Sequence, residues 1–160
     1  MRARHPGKWR HMFRGPEEVS TARLAGARVR TSDLADLMAF HGDPKIMRRL
    51  HPAREAWTER ELAALLDEHL RHWEEHGFGM WVFRDSRTRA FLGRAGLRSH
   101  DVGGRREIEL FYGVSPDSWG HGYATEMALR IIGMARAELH VRSLVAFTLP
   151  TNRASRRVLE

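Results

Sequence analysis

The sequence predicts a mixed α/β (α+β) domain, and three stretches of the 160-residue chain support that fold class. An apolar, β-prone run at residues 108–114 leads into a glycine-rich turn and an amphipathic helix. A second apolar run, residues 144–149, follows that helix and is predicted to be a short buried strand. The two strands are expected to lie parallel and to be joined by a right-handed crossover. Residues 78–84 and 90–98 have the pattern of an antiparallel hairpin.

The helices are predicted from N-cap residues followed by apolar residues three and four positions apart. One helix is expected over residues 31–41, before a glycine, an aspartate and a proline end it. A longer helix begins at the capping box of Thr58 with Glu61 and ends at Gly77. The intervening residues 44–57 carry several basic side chains without helical spacing, so they are predicted to be irregular.

The positive charge is concentrated at the N-terminus. The formal net charge is +7, and residues 1–14 contribute five cations without an acid. Residues 1–20 are therefore predicted to be a flexible basic arm, and residues 21–160 a single domain that opens with an exposed strand at residues 21–30. Such an arm could bind a polyanion. Because the rest of the chain is close to neutral, nucleic-acid binding is not expected of the domain.

The composition excludes several kinds of protein. The chain has no cysteine, which excludes disulfides, thiolate metal sites and a cysteine nucleophile. It has no apolar run near the ~20 residues that span a bilayer and no apolar segment typical of a secretory signal, so a cytoplasmic protein without a membrane partner is expected. His69, His72 and His76 have a spacing that could chelate a metal, but no second ligand cluster completes a site. They are interpreted as a solvated flank of the helix, and no metal is expected.

The glycine-rich turn at residues 118–125 offers a place for a phosphate group. Gly120 and Gly122 lack a Cβ, so the backbone can adopt positive φ there and approach a ligand closely. The first amides of the following helix have no intrahelical partner, and the helix dipole favours negative charge beside them. A plain connection between a strand and a helix explains the same two glycines, so the pattern alone leaves both interpretations open.

The segment Trp119–Glu126, WGHGYATE, resembles the W-G-x-G-Y-A-T-E signature of GNAT-superfamily acetyltransferases, specifically the RimJ/RimL-type N-acetyltransferases. The resemblance extends from about Thr21 to Glu160. It implies a mostly antiparallel sheet with helices on both faces, in which a central parallel strand pair splays around acetyl-CoA. It also implies transfer of an acetyl group from acetyl-CoA, as co-substrate, to an amine acceptor by direct attack in a ternary complex. The acceptor would be a protein N-terminus or a small molecule.

The same resemblance places the co-substrate on backbone atoms of the first parallel strand and the glycine turn. The end of that strand is expected to face the pantetheine arm, and the amides of the turn to hold the pyrophosphate. The side chain of His121 is expected to face solvent, whereas Asn152 is expected to hold the co-substrate and also to cap the last helix. The expected binding residues are Val114, Trp119, Gly120, His121, Gly122, Tyr123, Ala124, Thr125 and Asn152.

The expected catalytic residues are Glu109, Tyr112 and Ser155. An alkyl ammonium with a pKa of ~10 must lose a proton before its nitrogen can attack a thioester. Glu109, in the family's E-x-x-Y position with Tyr112, is expected either to serve the amine or to form a cross-strand ion pair with an arginine. Ser155 resembles the family's serine that protonates the leaving thiolate. The tyrosine that many GNAT enzymes carry in the last helix has no counterpart there in this sequence.

Family members continue beyond the V-L-E segment that ends this sequence into a K-x-G-F segment and two further strands. Without those last two strands, the edge at residues 144–149 is expected to be open and to recruit a second copy of the chain as a homo-oligomer. The acceptor pocket is expected to be incomplete as well. A second function therefore stays open, that of a catalytically weak acyl-CoA-binding module.

Overall fold

The computed structural model describes residues 14–53 and 56–160, which form an antiparallel sheet covered by helices on both faces. The elements in chain order are β1 (Glu18–Ser20), β2 (Leu24–Arg28), a 3-10 helix (Thr31–Asp33), α1 (Leu34–Gly42), α2 (Pro44–Leu50), α3 (Glu59–His76), β3 (Met80–Asp85), β4 (Phe91–Val102), β5 (Arg105–Val114), a second 3-10 helix (Pro116–Ser118), α4 (Tyr123–Ala137) and α5 (Arg153–Leu159). The five strands lie side by side in chain order. The predicted mixed α/β class is confirmed.

The two faces of the sheet carry different helices because side chains alternate along each strand. On one face of β5, the Phe111 ring lies 5.8 Å from the His69 ring of α3, and Gly113 packs against Phe40 of α1. On the other face, Leu110 is buried in the core that α4 covers. The fold therefore places α1 and α3 on one side of β5 and α4 on the other.

The locally encoded elements form as predicted. The Glu61 amide donates to Thr58 Oγ1 at 3.2 Å and the Thr58 amide donates to Glu61 Oε2 at 2.8 Å, which completes the capping box of α3. Gly77 ends α3 in the left-handed conformation at φ 73°. The predicted hairpin is formed by β3 and β4, although β4 continues to Val102 and turns into β5 through two glycines.

The prediction of a solvated histidine flank on α3 is wrong. His72 Nδ1 lies 2.9 Å from the Phe78 carbonyl oxygen, and the Ser99 amide donates to His72 Nε2 at 2.9 Å. The ring therefore joins α3 to the sheet as a neutral imidazole, and burial lowers the pKa of His72 to about 4. Within residues 14–53 and 56–160, no group of three potential ligands could hold a metal ion.

Residues 44–57 were expected to be irregular, but their first half forms α2. The Asp43 carboxylate accepts a hydrogen bond from the Lys45 amide at 2.7 Å and caps the helix. Pro44 occupies the first turn, where its fixed φ favours the helix and its missing N–H is not needed. The sequence pattern predicts these two residues only as the end of α1, although they also begin the next helix.

Residues 144–149 do not form the predicted buried strand. A single parallel bridge joins Val145 to Glu109 of β5, and Phe147 is 59% exposed. In the described residues no strand pairs with the outer side of this segment, so its backbone has ladder hydrogen bonds on one side only. Local β propensity alone does not hold so short a segment in strand conformation.

The boundary predicted between arm and domain is also wrong. Residues 18–20 form β1, and Val19 is completely buried against the sheet. Residues 1–13, which contain most of the predicted arm, lie outside the described residues. In the described part of the chain, no helix combines the length and the apolar character that a membrane span requires.

Gly96 on β4 lies directly opposite Met80 on β3. A Cβ at this position would lie 2.3 Å from the Gly79 carbonyl oxygen and 2.8 Å from the Met80 Cα, both of which are backbone atoms. Gly96→Ala is therefore expected to lower the free energy of unfolding by about 1–3 kcal/mol, because the strands must separate to accept the methyl group. Urea denaturation of the two proteins measures this difference.

Gly133→Ala is the matched control for Gly96→Ala. Gly133 lies inside α4, and a Cβ there would meet no atom within 4 Å. Since alanine loses less backbone entropy in a helix than glycine, this variant should be more stable by ~0.5–1 kcal/mol. Equal effects of the two substitutions would contradict the steric explanation.

Candidate functional site

A cleft of about 960 Å³ opens where β5 and residues 146–149 separate. The Leu110 amide donates to the Val145 carbonyl at 2.8 Å, and the Val145 amide donates to the Ile108 carbonyl at 2.9 Å. Beyond this parallel bridge the two segments line opposite parts of the cleft. Among the described residues, the backbone of β5 after Leu110 has no strand partner on this side, so it can bind an extended ligand.

The glycine turn forms one end of the cleft. Gly120 and Gly122 have φ of 82° and 78°, and a Cβ on Gly120 would meet no protein atom within 4 Å. Gly122 is the N-cap of α4, so the first amides of that helix have no intrahelical acceptor. The Trp119 indole N–H donates to the Val114 carbonyl oxygen at 2.7 Å and fixes the turn to the end of β5. This arrangement of free amides at a helix N-terminus suits an anionic ligand.

Two residues that support this turn were not predicted from the sequence. Arg23 lies between β1 and β2, and its Nε and Nη2 donate to Glu126 Oε2 at 2.8 and 2.5 Å. The same guanidinium donates to the His121 carbonyl at 3.0 Å. The Thr21 hydroxyl also donates to Glu126. Glu126 ends the W-G-x-G-Y-A-T-E segment, but its contact with Arg23 joins positions 103 residues apart. Only the folded sheet brings them together.

A third supporting residue comes from the unpredicted helix α2. The Arg49 guanidinium lies 3.8 Å from the centroid of the Trp119 ring, which is a close cation–π distance. Because Trp119 also donates to Val114, Arg49 joins α2 to the glycine turn through one indole ring. Ile46, Arg49, Leu50 and His51 all line the cleft. The basic segment at residues 44–57 thus contributes side chains to the cleft.

Tyr112 and Ser155 meet on the side of the cleft formed by α5. The Tyr112 hydroxyl lies 2.9 Å from Ser155 Oγ and donates to the Ser155 carbonyl at 3.0 Å. Burial raises the pKa of Tyr112, so the phenol stays protonated at neutral pH. The Asn152 side-chain oxygen accepts from the Ser155 amide at 3.1 Å, which confirms the predicted helix cap. A tyrosine hydroxyl therefore reaches the last helix from β5.

Glu109 lies at the inner end of the cleft and forms the ion pair that was one of its two predicted roles. Arg98 Nη2 and Nε donate to Glu109 Oε2 at 2.7 and 3.2 Å. The two residues are direct cross-strand partners on β4 and β5. The Glu109 side chain is 8% exposed and that of Arg98 is 46% exposed, so the carboxylate is the buried member of the pair. Since both residues also line the cleft, the ion pair is compatible with a role toward the acceptor.

The structure brings almost all predicted site residues to one cleft. Its lining includes Glu109, Tyr112, Val114, Trp119, Gly120, Gly122, Tyr123, Ala124, Thr125, Asn152 and Ser155. The remaining residue, His121, is exposed outside the lining, and its ring stacks at 5.7 Å on that of Tyr123. The sequence did not predict the part of the lining contributed by His41, Trp57, Leu65, His69 and Arg94.

Comparison with known proteins gives consistent results. Residues 23–160 match the family model described as acetyltransferase (GNAT) domain. The Bacillus subtilis protein YkkB is 27% identical over 144 residues, which are 89% of this chain and 82% of YkkB. An acetyltransferase from Agrobacterium tumefaciens superposes with a TM-score of 0.76 at 20% identity, covering 92% of this chain and 83% of that one. RimL, a ribosomal alpha-N-protein acetyltransferase solved in complex with coenzyme A, gives 0.75 at 12% identity, covering 89% and 80%.

Proposed function

Because the chain belongs to the GNAT acetyltransferase family, whose domains use acetyl-CoA, we propose that it acetylates a primary amine in a ternary complex. The acceptor is a protein N-terminal amine or the amine of a small molecule. The observation that carries this proposal is the cleft onto which both the glycine turn and the Tyr112–Ser155 pair open. One end of the cleft offers free amides for an anion, and the other offers groups that can move protons.

The backbone around the glycine turn fits acetyl-CoA. The amides from His121 to Thr125 would hold the pyrophosphate, because Gly120 leaves open space where a side chain would stand. The unpaired edge of β5 up to Val114 would bind the pantetheine amides, and Asn152 would contact the same arm from α5. When bound, acetyl-CoA supplies an electrophilic thioester carbon. The chain's own residues orient the acceptor and move the protons.

Glu109 is the residue that serves the amine. An ammonium group cannot attack, so a proton must leave the nitrogen before or during the reaction. Glu109 is a buried carboxylate that lines the cleft beside the acceptor, and its Arg98 partner fixes its orientation. It accepts the proton directly or through a water molecule, and it holds the nitrogen by a charge-assisted hydrogen bond.

The Tyr112–Ser155 pair protonates the leaving thiolate. Either hydroxyl can donate across their 2.9 Å contact. When the Tyr112 proton points to Ser155 Oγ, the serine proton is free to point into the cleft. Tyr112, which the sequence placed among the catalytic residues without assigning it the donor role, thus supplies a second hydroxyl beside the expected proton donor Ser155.

The proposed activity is tested by incubating the full chain with acetyl-CoA and a panel of primary amines. Release of the free coenzyme A thiol follows the reaction, and mass spectrometry identifies the acetylated product. Amine-dependent thiol release supports acetyl transfer. Saturable acetyl-CoA binding without thiol release from any amine would favour the acyl-CoA-binding module.

Gly122→Val tests the binding position of acetyl-CoA. Ligand at one hundred times its dissociation constant should stabilise the wild-type fold by ~2.7 kcal/mol, which raises the melting temperature by roughly 5–10 °C. Valine at φ 78° strains the turn and moves the amides of the α4 N-terminus, so the variant should lose most of this shift. Differential scanning calorimetry with and without acetyl-CoA measures it.

Gly103→Val is the matched control for Gly122→Val. Gly103 also has positive φ, 59°, and its Cβ would meet no atom within 4 Å, but it lies in the β4–β5 turn outside the cleft. The control should lose a similar amount of stability and keep the full acetyl-CoA shift. A full shift in Gly122→Val would place the co-substrate elsewhere.

A further inference from the structure

Arg94 on β4 lies in the part of the cleft that the sequence did not predict. Its guanidinium lies between two aromatic rings, 5.6 Å from the centroid of Phe40 and 5.2 Å from that of Phe111. The Nε atom is buried and has no hydrogen-bond partner. The rings attract the cation through their faces, but they accept none of its N–H groups as a carboxylate would.

No carboxylate in residues 14–53 or 56–160 forms an ion pair with Arg94. Glu109 is the acid that acts on it electrostatically, and the described contacts of that carboxylate are with Arg98. Burial lowers the pKa of Arg94 to about 10, so the side chain is still a cation at neutral pH. The residue as a whole is half-buried, but its buried Nε–H lacks an acceptor, and a buried donor left unpaired is costly. A bound anion would supply that acceptor.

The neighbouring imidazoles are uncharged, so they do not compete with Arg94 for such an anion. Burial, followed by the charge of Arg94, lowers the pKa of both His41 and His69 to about 3. Both rings are therefore neutral at physiological pH and can offer hydrogen bonds without a full charge. His41 Nδ1 is itself buried without a hydrogen-bond partner. Arg94 is the one strong cation of this lining group, which consists of His41, Trp57, Leu65, His69 and Arg94.

We propose that the acceptor amine also carries a carboxylate, and that the Arg94 guanidinium binds this carboxylate in the cleft. The proposal rests on the proposed acetyl transfer and names the class of its acceptor. A guanidinium donates two parallel N–H groups to a carboxylate, and one positive charge balances one negative charge. A carboxylate suits this position better than a phosphate dianion, because Arg94 is the one cation of this lining group and Arg98 is already paired with Glu109.

The test compares acceptors that share a skeleton and differ in the anionic group. Phenylalanine is compared with its amide, and β-alanine with its amide and with phosphoethanolamine, all at saturating acetyl-CoA. After correction for the unprotonated fraction of each amine, kcat/KM for thiol release should be at least tenfold higher for the carboxylates than for the amides. A binding site built for a charged group rejects analogues that lack it by such factors or more.

Arg94→Gln should reduce this preference to less than threefold, and Arg94→Lys should restore part of it. Arg87→Gln, on an exposed arginine in the β3–β4 turn, is the matched control and should keep the full preference. Arg94 has no ion pair among the described residues to lose, so the glutamine variant gives up only the contacts with Phe40 and Phe111 and should still fold. If it does not fold, the lysine variant carries the comparison.

Calorimetric titration separates failure of this inference from failure of the proposed function. N-acetyl-β-alanine and its amide are titrated into the protein with coenzyme A present. If the acid binds more tightly than the amide, and if Arg94→Gln abolishes that difference, the carboxylate site is supported even without turnover. Thiol release without discrimination between acid and amide would overturn the inference and leave acetyl transfer intact. A preference that persists in Arg94→Gln, or a preference for phosphoethanolamine, would overturn it as well.

Discussion

Replacing both Tyr112 with phenylalanine and Ser155 with alanine is expected to lower kcat by about 10²–10⁴-fold, the range typical of general acid catalysis. Their hydroxyl groups lie 2.9 Å apart, and each can donate toward the cleft when the other is removed. The single variants should therefore lose only about tenfold each, and the double variant more than the product of the two. Steady-state measurement of thiol release from acetyl-CoA gives all three values.

The affinity for acetyl-CoA distinguishes a chemical role from a structural one. Tyr112 also donates to the Ser155 carbonyl, so the double variant loses both hydrogen bonds of this side chain to α5. If that contact mattered mainly for folding, the binding-induced rise in melting temperature would fall together with kcat. Ser86→Ala, in the exposed β3–β4 turn, is the control for loss of a hydroxyl. A double variant with kcat within threefold of the wild type would exclude the pair as the proton donor.

Glu109→Gln is expected to lower kcat/KM by about 10²–10³-fold near pH 7, with the loss shrinking as the pH approaches ~10. At neutral pH the acceptor is mostly an ammonium ion, so its proton must be removed at the site. At high pH the amine already reaches the site unprotonated, and the carboxylate matters less. The kcat/KM profiles of the two proteins from pH 6 to pH 10 show this convergence.

Glu109→Gln is expected to affect the free energy of unfolding much less than it affects kcat/KM. Arg98 is 46% exposed, so loss of the pair should change the free energy of unfolding by only ~0.2–1 kcal/mol. Glu107→Gln, two residues earlier on the same face of β5, lies outside the cleft and should leave the pH profile unchanged. Parallel profiles of wild type and Glu109→Gln at every pH would leave the carboxylate with a structural role alone.

The elements that the sequence predicts correctly are those whose cause is local. The capping box of α3 joins residues three positions apart, and Gly77 ends the helix by its own conformation. The glycine turn at residues 118–125 has its positive φ values because the two glycines stand there. Such features are complete within one or two turns of chain, so their residues can be identified without any tertiary contact.

The secondary-structure predictions are wrong where one residue belongs to two elements or where an element needs a hydrogen-bonding partner. Asp43 and Pro44 end one helix and begin the next, and only the second function was overlooked. Residues 144–149 have strand-like composition, but a strand also needs hydrogen-bonding neighbours, and here a single bridge forms. Val19 belongs to a segment too short to show an alternating pattern, and its burial follows from pairing with β2.

The sequence by itself determined the glycine turn, the caps of α3 and α5, the hairpin and, through its family motifs, most of the predicted residues that line the cleft. Only the tertiary structure decided which side chains act together. Tyr112 reaches Ser155 across 43 residues, and Arg94 lies against Phe40 because the sheet packs on α1. Contacts of this kind depend on the relative placement of whole strands and helices. That placement is set by the burial of the common core, which acts over the entire chain and leaves no short pattern at any one position.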